Sequence, residues 1–151
     1  MKRCLYLALI TGNLASLGCA AQPAGSAPAA PAESAKEALS CLAPSNCVNS
    51  LDDYSSLPPL RFVGSAADGK ARLMKTLAAF PEARVVSNEA LQVEAVFTTR
   101  LGFRDQVLFR IDAAGQRIDF RSRSNVGLYD FGKNRSRMRE FTARFEKESV
   151  Q

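Results

Sequence analysis

Apolar residues between Ser65 and Phe80 recur at helical spacing, with Leu73, Met74, Leu77 and Phe80 on one stripe. Ser65 followed three residues later by Asp68 is a capping arrangement, and Pro81 stops the run. From Arg84 the period falls to two. Arg84 to Ser87 and Leu91 to Thr99 read as strands joined near Asn88 and Glu89, with Val93, Ala95 and Phe97 alternating with more polar neighbours. Gly102 precedes a hairpin whose strands, Asp105 to Ile111 and Gln116 to Ser124, meet at a turn over Asp112–Gly115. Val107, Phe109, Ile111, Ile118 and Phe120 mark its buried face. Helical spacing returns from about Asn134, which reads as an N-cap, to Lys147, with Met138, Phe141 and Phe145 facing the sheet. Leu60 to Val63 can add a short edge strand, and Glu33 to Leu39 a short helix. The pattern predicts an α+β fold: a single small domain, an antiparallel sheet of about four strands flanked by two main helices.

The first forty residues follow other rules. Lys2 and Arg3 precede the apolar run Leu5 to Ile10, which gives way to small residues before Cys19. That is the order of a secretory signal over 1–18, and its apolar core is shorter than the roughly 20 residues needed to span a bilayer. Gly18 and Cys19 resemble the end of a bacterial lipobox, although Ser16 and Leu17 stand in the reverse of the usual order. The expectation is lipidation at Cys19, with ordinary signal cleavage as the alternative. Ala20 offers no acidic retention signal, which by the same resemblance favours the outer membrane. Residues 19–40, rich in Ala, Pro and Ser, have little to bury and read as a flexible tether of roughly 25 Å r.m.s. span. The globular part is 41–151. The expected location is therefore the periplasmic side of a bacterial envelope.

Composition narrows the chemistry. With 46% hydrophobic and 23% charged residues the body of the chain is ordinary for a folded domain. Loss of Lys2 and Arg3 with the signal lowers the formal charge from +5 to about +3. The positive charge is concentrated after residue 100. There is no His and no Trp. Without His the commonest general base, the Ser-His and Cys-His pairs and every His-containing metal site are excluded. No phosphate-loop, dinucleotide or calcium-loop pattern occurs, so no cofactor or metal is expected. Nucleic acid is a poor partner for an exported domain of this charge with no aromatic-studded basic strand.

Of four cysteines, Cys4 leaves with the signal and Cys19 is the lipid candidate. Cys41 and Cys47 remain, separated by a segment in which Pro44, Ser45 and Asn46 favour a turn. In an oxidising compartment this pair predicts a disulfide. A redox-active pair needs closer spacing, and half of a metal site needs further ligands.

Two charge patterns stand out. Arg117, Asp119, Arg121 and Arg123 alternate along the last strand and share the face opposite its apolar residues. Arg135, Arg137 and Arg139 open the final helix and Glu146 and Glu148 close it, the reverse of what the helix dipole favours. Those arginines should answer to something else, such as Asp130 or an anion.

Three stretches resemble an uncharacterised family of bacterial envelope and plastid proteins, the domain of unknown function family 1499. They are Cys41-x5-Cys47-Val48-x-Ser50, Gly102-Phe103-x-Asp105-x-Val107-x-Phe109, and Arg121-Ser122-x-Ser124-x-Val126-Gly127-x-x-Asp130-x-Gly132-x-Asn134-Arg135. The chain departs from the family pattern at Leu42, where Pro is frequent, at Gln106, where a second acid is common, and at Asn125, where Arg is common. The resemblance implies no established reaction. It singles out a polar cluster of Arg121, Ser122, Ser124, Asp130, Asn134 and Arg135, with Asp105 close in the pattern. A purely structural account competes: Gly127 and Gly132 for tight turns, Asp130 paired with Arg121 or Arg135, Asn134 as a cap.

Function is the least legible property. One reading is an envelope domain that binds an anionic group, such as a lipid headgroup, a cell-wall carboxylate or an acidic protein surface, through Arg121 and Arg135. Alternatives are a structural or assembly lipoprotein, or a His-free hydrolase with Asp105 or Asp130 as base and Ser122 or Ser124 as nucleophile. Catalysis is the weakest reading, because nothing in the chain activates a serine.

Overall fold

The computed structural model describes residues 32–42, 44–51, 56–127 and 129–148. The signal at 1–18, Cys19 and the tether ahead of Ala32 lie outside the described residues. Among the described residues three helices, α1 (Ala32–Leu39), α2 (Ala66–Ala78) and α3 (Lys133–Lys147), accompany six strands: β1 (Cys47–Asn49), β2 (Leu60–Arg61), β3 (Ala83–Asn88), β4 (Gln92–Thr98), β5 (Arg104–Asp112) and β6 (Arg117–Ser124). No helix among the described residues is long and apolar enough to cross a membrane.

The strands form one antiparallel sheet in the order β1-β6-β5-β4-β3, with β2 also pairing β6. The α+β domain is as read from the pattern, but the count of about four strands is too low. β1 and β2 are three and two residues long, too short to display a period, and all of β1 is buried. They lie along the same side of β6, β1 opposite Arg121–Arg123 and β2 opposite Arg117 and Ile118. That makes β6 an interior strand and explains how its Ile118, Phe120 and Ser122 lose all exposure.

Alternation sorts the two faces. Val93, Ala95, Phe97, Val107, Phe109, Ile111, Ile118 and Phe120 face α2 and α3, where Leu73, Leu77, Phe80, Met138, Phe141 and Phe145 close the core. Phe141 stacks on Phe80 with centroids 5.4 Å apart and lies 5.2 Å from Phe109. Arginines join the helix ends reciprocally. On α2, Arg72 donates from Nε to the Phe145 carbonyl at 2.8 Å, and on α3, Arg144 donates to the Ala79 carbonyl at 2.8 Å. Their guanidinium groups lie over the Phe145 and Phe80 rings at 3.9 and 4.3 Å, so they satisfy terminal carbonyls while covering apolar surface.

The opposite face carries the charged row. Arg117 contacts Asp112 and Asp119 at 3.3 and 3.2 Å, and Arg123 donates to Gln106 from two nitrogens. Arg121 is half-buried there. Burial pushes its pKa down, nearby Arg123 adds repulsion, and Glu94 opposes both.

α2 begins as the sequence predicts, with Ser65 accepting from the Asp68 amide and Asp68 returning to the Ser65 amide. α3 does not. Its N-cap is Gly132, in a left-handed conformation, and Asn134 is the second helical residue. The capping oxygen comes from Asp130, two residues before the cap, which accepts from the Asn134 amide at 2.9 Å. Asn134 is thereby released from capping and buried.

Candidate functional site

One end of the sheet collects three connections: the segment 41–47 before β1, the β4–β5 turn at 99–103, and the loop from 125 to α3. Cys41 and Cys47 are disulfide-bonded, as the cysteine arithmetic predicts. The bond closes the single 3-10 turn Pro44–Asn46, and that turn holds the third loop. The Ser45 carbonyl accepts from the Asp130 amide at 3.2 Å, and the Asn46 side chain donates to the Gly127 carbonyl at 2.6 Å.

Inside this end lies a polar cluster on the core face of the sheet. Cross-strand register sets Asp105 of β5 opposite Ser124 of β6, and the Ser124 hydroxyl donates to Asp105 Oδ1 at 2.6 Å. Asn134, 1% exposed, is the hub. Its Oδ1 accepts from Ser122 at 2.6 Å and from Arg137 at 3.1 Å. Its Nδ2 donates to Asp130, Ser124 and the Asn46 carbonyl at 2.7, 3.0 and 3.1 Å, one hydrogen being shared. Arg137 completes the network with a 2.6 Å ion pair to Asp105 Oδ2, the two side chains being 7% and 4% exposed. Each buried polar group in it has a partner, as burial demands.

Of the residues singled out from sequence, Asp105, Ser122, Ser124, Asp130 and Asn134 come together. Arg121 does not: adjacent strand residues point to opposite faces, and it lies across the sheet from Ser122. Arg135 is half-buried on α3 and joins none of the cluster's hydrogen bonds. Asp130 pairs with neither of them; its carboxylate takes the amides of Gly132 and Asn134 and the Asn134 side chain. The residue missed is Arg137. Its signal was its position, three residues after Asn134 and four before Phe141 on the buried face of α3. Gln106, where a second acid is common, points away from Asp105 and binds Glu94 and Arg123 on the charged face. Asn125 is exposed, and its amide donates to the Arg104 carbonyl.

Above the cluster opens a cleft of about 230 Å³. Asp105, Ser124 and Asp130 form part of its lining, Phe103, Val126, Tyr129 and Phe131 supply apolar walls, and Arg104 and Lys133 add cations. Neither cation has a hydrogen-bond or ion-pair partner for its charged group among the described residues. The amides at the start of α3 are not free for a ligand, because Asp130 already takes those of Lys133 and Asn134. Among the described residues no group of three or more Cys, Asp and Glu is placed to hold a metal ion.

The family described as Protein of unknown function (DUF1499) matches residues 38–145, which takes in all three connections and the whole cluster. The chain belongs to that family. No curated protein matches the chain.

Proposed function

We propose that this DUF1499 domain is a binding module for an anionic ligand, seated in the cleft above the Asp105–Arg137 pair. Export through residues 1–18 and anchoring by lipid at Cys19 belong to the same proposal. The observation that carries it is an imbalance of engagement. Both carboxylates lining the cleft are spoken for, Asp105 by Arg137 and Ser124, and Asp130 by amides and Asn134. Both cations, Arg104 and Lys133, are exposed, and among the described residues their charged groups are unpaired. A ligand with an apolar body and an anionic group would satisfy the cations while covering Phe103, Val126 and Tyr129.

The hydrolase reading draws on one contact, the 2.6 Å hydrogen bond from Ser124 to Asp105 at the cleft lining. It gains nothing further. Asp105 is held by Arg137 on its other oxygen, and the Ser124 oxygen also accepts from Asn134, so both groups are spent on the network.

Thermal denaturation of the full chain against inorganic phosphate, glycerol phosphate and acidic cell-wall fragments tests the proposal. At 100 times its dissociation constant a ligand adds about 2.7 kcal/mol. The increment should vanish in Arg104→Ala/Lys133→Ala and persist in Arg121→Ala, whose side chain is on the far face. Stabilisation that survives the double substitution, or none from any anion, overturns it.

A further inference from the structure

Six of the large apolar residues most exposed in the fold, Leu42, Leu101, Phe103, Val126, Tyr129 and Phe131, lie on the three connections at the cleft end of the sheet. Leu101 is 84%, Val126 72% and Phe131 90% exposed. Soluble surfaces tolerate scattered apolar residues, but six gathered on three neighbouring loops form a patch that calls for an occupant. Phe131 is the most telling. It is held at φ 53°, a left-handed conformation costly for a bulky residue, immediately before Gly132 at φ 72°. The Asp130 carboxylate fixes this turn by accepting from the Gly132 amide at 2.9 Å. Backbone strain is thus spent on presenting a phenyl ring to water, with the Tyr129 ring 4.9 Å away. Leu101 is presented similarly, at the tip of a tight turn closed by the Gly102 amide on the Thr99 carbonyl and by the Phe103 amide on the Thr99 hydroxyl.

The charge at this end chooses among occupants. Arg100 sits beside Leu101 in the turn, Arg104 follows Phe103, and Lys133 follows Phe131 and Gly132. None of the three has a partner among the described residues, and the two acids of the cleft are already neutralised or capped. Protruding Leu and Phe tips flanked by free cations, with a Tyr among them, match the apolar interior and anionic headgroups of a bilayer surface. A second copy of the chain would oppose like charges, and an anionic protein would offer little for separate protruding tips to enter.

We propose that this end of the domain docks on an anionic phospholipid bilayer, Leu101, Phe103 and Phe131 entering the interface and Arg100, Arg104 and Lys133 meeting headgroups. The inference rests on the anionic-ligand reading for Arg104 and Lys133, and it names the source of the anion as the lipid surface.

The absence of Trp from the sequence gives a local readout in the full chain. Phe131→Trp places one fluorophore at the docking end and Val63→Trp one at the other, where Phe62 binds the Gln116 carbonyl of the hairpin turn. With vesicles of phosphatidylcholine and phosphatidylglycerol, Phe131→Trp should shift to the blue and be quenched by chain-brominated lipid, while Val63→Trp does neither. Adding Leu101→Ser should weaken the Phe131→Trp titration about tenfold. Arg104→Ala/Lys133→Ala should weaken it at least about tenfold, as should vesicles without phosphatidylglycerol. Comparing variants of one chain cancels any contribution from residues 1–31. An unchanged Phe131→Trp spectrum, or equal shifts at both ends, overturns docking. If soluble phosphates stabilise the chain through Arg104 and Lys133 while the spectrum stays unchanged, the cleft reading stands and docking falls; if neither occurs, both fall. A blue shift that grows with protein concentration without vesicles identifies a protein contact and overturns the lipid assignment.

Discussion

Arg137 donates to Asp105 across 2.6 Å with both side chains nearly removed from water. The pair links the second turn of α3 to the start of β5, and the guanidinium lies 5.0 Å over the Phe97 ring. A buried ion pair recovers its desolvation cost only when its other donors and acceptors are satisfied, and here Ser124 and Asn134 satisfy them.

Removing either partner strands the other charge. Arg137→Met and Asp105→Asn should each cost about 3 to 5 kcal/mol in urea unfolding. The double substitution should cost less than the sum of the two, because neither charge is then left alone. Additive losses would show that the two residues act independently.

Reduction of Cys41–Cys47, or Cys41→Ser/Cys47→Ser, should lower stability by about 2 kcal/mol, as expected for a short closed loop. The structural effect should reach further than the loop. Ser45 and Asn46 hold Asp130 and Gly127, so amide exchange should quicken at Asp130 and leave β4 and β5 unchanged. Unaltered protection at Asp130 would separate the turn from the loop.

Gly69 lies inside α2, where Ala is normally preferred by about 1 kcal/mol. Here a Cβ would stand 2.8 Å from the Phe62 ring. Overpacking of that kind costs about 1 to 3 kcal/mol, so Gly69→Ala should be net destabilising in thermal unfolding. In a Phe62→Leu background the same substitution should be tolerated better.

Asp68 carries the pH dependence of the α2 cap. Its carboxyl is held below the usual value chiefly by the Ser65 hydroxyl and then by the Ser65 amide, at 2.7 and 2.8 Å. The folded-state pKa is thus below the unfolded one. The contribution is complete above the unfolded value and is lost as pH falls through the folded value. Ser65→Ala removes the larger cause, and an NMR titration should find Asp68 moved up toward the ordinary carboxylate range. An unmoved titration would locate the shift elsewhere.

The long elements were legible because each shows its period over a full helix face or several strand alternations. β1 was not, since three residues cannot display one, whereas β2 falls within the short edge strand expected over Leu60 to Val63. The disulfide followed from counting cysteines under the expectation of an oxidising compartment. Placement of the cluster was legible in part. Ser122 and Ser124 share parity with Ile118 and Phe120, so strand alternation already put them under the helices and Arg121 on the far side. Grouping Arg121 with them followed the linear motif against that alternation. Asn134 was read as a cap because its residue type favours one, and the competing acceptor, Asp130, was four residues away. The reversed charge at the start of α3 was a true signal: Arg137 answers to Asp105, a partner that only the fold brings near.

The path of the chain through Cys41 and Cys47 has a mechanical consequence. Tension applied from the N-terminal side crosses the sulfur bridge directly to β1 and bypasses the residues between the two cysteines. Ser45 and Asn46, which hold the loop bearing Tyr129 and Phe131, lie on the slack branch of that covalent shunt. The domain can therefore be tugged from its leading segment without the pull being felt where its aromatic tip is set.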